Sequence, residues 1–93
     1  MKAKSAAEAK KFEDIPNVGP RMAEDFRLLG FTSPEQLIGK DPLQLYERLN
    51  RKTGQRHDPC VLDTFMAVTD FMNGGKAKPW WKFTTARKKF FKG

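Results

Sequence analysis

The chain has 93 residues, 39% hydrophobic and 31% charged, which supports one small domain with a modest core and leaves no room for a second. Its net charge of +7 is unevenly placed: residues 76–93 hold seven basic and no acidic side chains, while the remaining 75 residues hold 11 of each, so attraction to polyanions belongs to the C-terminal end. No 18-residue apolar run exists, the opening MKAKSAAEAKK lacks the apolar block of a signal peptide, and the single Cys60 excludes an internal disulfide; the expected setting is the cytoplasm, with no membrane-spanning segment.

Residues 5–13, SAAEAKKFE, read as a short helix, with Ser5 as its cap, Glu8 at capping-box spacing and three alanines inside. Phe12 and Ile15 would form its buried end. In Ile15-Pro16-Asn17-Val18-Gly19-Pro20-Arg21, Pro16 stops the helix, Asn17 and Gly19 tolerate positive φ, and Pro20 suits a first helical position, so the chain must turn and restart. Met22, Ala23, Phe26 and Leu29 then recur at helical spacing up to Gly30. A tight turn with exposed amides leading into a free first helical turn is a ready site for a phosphate. Asn17, Val18, Gly19 and Arg21 would supply that site, with Lys10 and Lys11 nearby. Arg21 has a second reading as a solvated arginine paired with an acidic neighbour.

Ser33-Pro34-Glu35-Gln36 repeats the cap-then-proline start and predicts a short helix to Ile38, stopped at Gly39. Asp41-Pro42 opens a helix offering Leu45, Tyr46 and Leu49 to the core, ended by Gly54. Asp58-Pro59 opens the longest helix, residues 59–73, whose Val61, Leu62, Phe65, Val68 and Met72 make a wide apolar face. Asn73-Gly74-Gly75 reads as a hinge releasing the tail. In that tail Trp80 and Trp81 either pack back over the last helix or stand exposed for bases or a protein partner. Lys82, Arg87, Lys88 and Lys89, interleaved with Phe83, Phe90 and Phe91, are candidate nucleic-acid contacts, or an amphipathic turn for an acidic membrane over residues 82–92.

The stretch Ile15 to Ala23 resembles the helix-hairpin-helix motif of DNA-binding proteins, with Asn17 in the place of the first hairpin glycine. The wider chain, with LGF, SPEQL, DPLQLYERL, TG, DPCVLDTF and PWW in this order, is similar to the small bacterial pathogenicity locus family of helix-hairpin-helix proteins over roughly residues 12–85. This resemblance implies an all-α, SAM-like compact bundle of about five short helices over residues 1–75, with a basic aromatic tail over 76–93.

No stretch pairs carboxylates, a nucleophile with a base, or metal ligands, so neither an enzyme nor a cofactor is expected. Cys60 and His57 lie three apart with no orienting third group, and Asp14, Asp63 and Asp70 read as caps or solvated helix residues. Two functions follow. One is non-enzymatic binding of DNA, or of RNA, through backbone phosphates and with little sequence preference. The other is a protein-interaction module anchored on Trp80 and Trp81.

Overall fold

The computed structural model describes residues 2–90, the side chain of Phe90 excepted; Phe91 and Lys92 of the expected amphipathic tail lie outside the described residues. Among the described residues there are four α-helices: α1 (Pro20–Leu28), α2 (Pro42–Thr53), α3 (Pro59–Met72) and α4 (Thr84–Phe90). Of four 3-10 segments, η1 (Ala6–Glu8) and η2 (Phe12–Asp14) precede α1, η3 (Pro34–Leu37) joins α1 to α2, and η4 (Trp80–Phe83) leads into α4. No strand occurs among the described residues.

The two long helices start as their sequences dictate. Asp41 accepts a hydrogen bond from the Leu43 amide and Asp58 one from the Cys60 amide, each 2.9 Å, with proline at the first helical position in both. At Ser33 the partner three residues on does the work: the Gln36 side chain accepts from the Thr32 and Ser33 amides, and the turn stays 3-10, ending at Leu37 rather than Ile38. α3 is the central element. Leu62, Phe65, Val68, Phe71 and Met72 are all buried, Phe65 lies 5.4 Å from the Phe26 ring of α1, and Phe26 lies 5.4 Å from Phe12. Each such burial contributes about 1.5–3 kcal/mol.

Three expectations need correction. Residues 5–13 form two 3-10 turns instead of one helix: Ser5 makes no side-chain cap, Glu8 accepts from the Lys4 amide, and Asp14 Oδ2 claims the amides of Lys10 and Lys11. Those capping bonds, together with burial of Phe12 and Ile15, outweigh the helix propensity of three alanines in so short a segment. Second, Asn73-Gly74-Gly75 does not lead the chain away from the domain. Asn73 binds the Thr69 carbonyl through Nδ2 and the Gly39 amide through Oδ1, and the Gly75 amide returns to the Asp70 carbonyl. A Cβ at Gly75 would lie 2.3 Å from Asp70 Oδ2 and 2.8 Å from the Asp70 carbonyl oxygen, so only glycine permits this return.

Third, Asp63 is not solvated. Its side chain is 0% exposed and holds α4 in place, accepting from Thr84 Oγ1 at 2.7 Å and from Arg87 Nε at 2.8 Å. η4 and α4 thereby pack along α3.

Candidate nucleic-acid interface

The turn between η2 and α1 is built from the inside outward. Ile15 and Val18 are buried anchors, and Asn17 between them adopts the left-handed conformation, φ 74°. Gly19 does not: its φ of −96° is open to any residue, and a Cβ placed there would meet nothing within 4 Å. The fold itself therefore does not require glycine at this position. What an absent Cβ leaves is an unobstructed approach to the backbone from solvent.

That backbone is partly free to donate. The Val18 amide is consumed by the Ile15 carbonyl, 3.1 Å away, which removes it from the expected set of phosphate donors. Among the hydrogen bonds of the described residues none is donated by the amides of Gly19, Arg21 or Met22, and Gly19 to Arg21 are exposed. These amides open α1, with the positive end of its dipole behind them. The Arg21 side chain stands beside them over a cavity of about 470 Å³ that His57, Asp25 and the capping residue Asp58 also line. Burial pushes the Asp25 carboxyl up, against the pull of His57 and Arg21. The Cys60 amide holds the Asp58 carboxyl below the ordinary aspartate range.

Two contacts invisible in the local sequence brace the turn. The Lys2 ammonium donates to the carbonyls of Glu13 (2.7 Å), Ile15 (3.1 Å) and Val18. Asn17, in addition to turning the chain, reaches the tail: its Nδ2 donates to the Lys78 carbonyl at 2.7 Å and its Oδ1 accepts from the Trp80 amide at 3.2 Å. The Asn17 side chain is thus aimed at the tail backbone and fixes the tryptophans next to the turn. Trp80 is half-buried and meets Trp81 edge-on, ring centroids 5.7 Å apart, while Trp81 is 60% exposed.

The expected cations divide. Arg21, Lys82, Lys88 and Lys89 are exposed. Arg87 is committed to Asp63, with a side chain only 13% exposed and its guanidinium held more firmly charged by that carboxylate. Lys10 and Lys11 are exposed, but Lys10 lines a different groove, of about 410 Å³, with Ala6, Pro34, Ile38 and Met72. Arg27 pairs with Glu13 and Glu24. Of the two residues weighed for chemistry, Cys60 is half-buried with its thiol pushed up by burial and by Asp58, and the His57 ring nitrogen Nδ1 lies 2.7 Å from Asn50 Oδ1. Among the described residues no group of three or more His, Cys, Asp or Glu side chains is placed to hold a metal. None of the described helices is long and apolar enough to cross a membrane.

Comparison with known proteins adds a family and one relative. The family described as "Cdd1: Pathogenicity locus" matches residues 5–89. A protein named mitomycin resistance protein McrB, from Streptomyces lavendulae, is 44% identical over 79 residues, covering 85% of this chain and 75% of its own length. No solved structure matches.

Proposed function

The chain belongs to the pathogenicity locus family, and from that premise we propose that it is a non-enzymatic, cytoplasmic DNA-binding module of the helix-hairpin-helix kind. The amides of Gly19, Arg21 and Met22 hold one phosphate of the backbone, and the Arg21 guanidinium adds a charge-assisted bond. Lys82, Lys88 and Lys89 supply long-range attraction from a tail that Asn17 keeps beside the turn. The observation that carries this reading is Gly19, an exposed glycine with ordinary backbone angles and empty space where its Cβ would be, at the head of a helix with unengaged amides.

Such contacts touch phosphates and not base edges, so sequence preference is weak. Dissociation constants fall on the order of 10–100 μM at physiological salt and become smaller as salt is lowered. Titration of a fluorescent duplex at several salt concentrations tests this, with Gly19→Val, Arg21→Ala and a Lys82/Lys88/Lys89→Gln variant. Gly19→Val should weaken binding while leaving the fold intact, because its side chain projects into solvent. Affinity indifferent to salt would sink the proposal, and affinity unchanged by Gly19→Val would remove the turn from it. The same titration on single strands and on RNA ranks the partners.

One observation favours a second reading, a protein-interaction module: Trp81 presents a large apolar ring, 60% exposed, against the edge of Trp80. Trp81→Ala separates the two. Under the first reading it leaves the salt dependence of DNA binding unchanged.

A further inference from the structure

At the opposite end of α1 from Gly19 lies a group of cations that segment-by-segment charge counting conceals. Nine residues at about 1.5 Å each set the two ends of this helix about 13 Å apart. Arg48 caps the far end, its Nη2 donating to the Leu29 carbonyl at 3.0 Å and its guanidinium lying 5.7 Å from the centroid of the Phe31 ring. Arg48, Arg51 and Lys52 share one face of α2, being spaced i, i+3 and i+4. With Leu29 they line an open depression of about 370 Å³; a second of about 460 Å³ adjoins it, sharing Leu29 and Arg48 and adding Lys40. No acidic side chain lines either.

Arg51, Lys52 and Lys40 are exposed, and none of the four cations takes part in an ion pair among the described residues. Glu47, exposed one turn before Arg51 on α2, and Asp41, exposed next to Lys40 and capping α2, set two negative charges against the four positive. Helix ends explain some of this, since cations are favoured in the last turn of α2 and Arg48 caps α1. They do not explain Lys40, which converges on the same surface from a loop. The surface is shallow and unenclosed, with charges strung along it, a shape that suits a row of phosphates better than one small anion.

We propose that Lys40, Arg48, Arg51 and Lys52 form a second phosphate-backbone site, so that one molecule holds two duplex segments at once. This rests on the hairpin being the first site. The free amides of the first turn of α1 point away from its C-terminal end, where Leu29 and Arg48 border the second surface, so the two sites sit at opposite ends of this helix.

The test uses the full chain and 20-bp duplexes, half carrying a donor dye and half an acceptor. Arg51→Glu with Lys52→Glu removes the second site at exposed positions, and Arg21→Glu removes the first; circular dichroism confirms folding. Wild-type protein should bring donor and acceptor together at sub-saturating concentration. The double variant should still bind a single duplex, by anisotropy, while energy transfer falls about tenfold for two lost phosphate contacts. Unchanged transfer in the double variant, or no transfer in wild-type protein that binds one duplex through Arg21, overturns the inference and leaves the hairpin reading standing. If Arg21→Glu binds as wild type while the double variant does not, the hairpin reading fails and the two-duplex inference fails with it.

Discussion

Replacing Asn17 by Gly and by Ala separates its two tasks, turning the chain and holding the tail. Glycine keeps the left-handed turn at φ 74° and loses both side-chain hydrogen bonds, to the Lys78 carbonyl and from the Trp80 amide. Two neutral bonds of about 1 kcal/mol each make Asn17→Gly about 2 kcal/mol less stable. Alanine loses the same bonds and must also hold a left-handed conformation, for about 1 kcal/mol more. The order of stability is therefore Asn, Gly, Ala, with a melting temperature for the glycine variant about 10 °C below wild type in a domain of this size. Urea unfolding followed by tryptophan fluorescence gives the free energies, and hydrogen exchange at the Trp80 amide gives the local effect. A glycine variant as stable as wild type, with Trp80 protection unchanged, would refute the bridge to the tail; an alanine variant no worse than glycine would refute the strain.

Gly75→Ala places a methyl 2.3 Å from Asp70 Oδ2 and should cost about 1–3 kcal/mol by thermal denaturation; a neutral result would mean that the chain returns from α3 by another route. Asp63→Asn leaves Arg87 without its carboxylate and should cost about 3 kcal/mol and loosen α4, seen as faster exchange of its amides. Acid should destabilise the protein through Asp14 and Asp58, whose carboxyls are held below their ordinary value by backbone amides, those of Lys10 and Lys11 and that of Cys60 respectively. Their stabilisation is present above an unfolded value of about 3.9 and is lost as pH falls through the lower folded values. A chain carrying Asn at both positions should accordingly lose less stability between pH 5 and pH 2, about the range over which carboxylates titrate; equal slopes would refute the assignment.

What could be read from the sequence was local. Asp41-Pro42 and Asp58-Pro59 announce their helices because cap, proline and first turn lie within three residues of each other. The apolar face of α3 follows from period alone. Residues 5–13 mislead because alanine propensity acts there alone, whereas Phe12 and Ile15 answer to a core that the segment does not contain. Asp63 is marked in the sequence: a lone acid between Leu62 and Phe65 in a nearly continuous apolar run must find a partner or water. Its partner, Arg87, is 24 residues away, so no window on α3 could name it. For Lys2, no sequence signal exists; its reach of 11 to 16 residues to the turn is a product of packing. The balance of 11 acidic and 11 basic residues over the first 75 is a sum along the chain, which averages over faces that folding separates: Arg48, Arg51 and Lys52 line one depression that no acidic side chain lines.

The burial of Asp63 beneath α4 has a practical side for anyone trimming this protein. Cutting the chain after residue 75 would take away seven positive charges. It would also expose the carboxylate, leave Asn17 with nothing to hold, and uncover the flank of α3 on which η4 rests. A shortened fragment that failed to bind a polyanion would thus be reporting a damaged scaffold as much as a missing magnet. Substituting glutamine for Lys82, Lys88 and Lys89 removes charge at exposed positions and leaves the clasp closed.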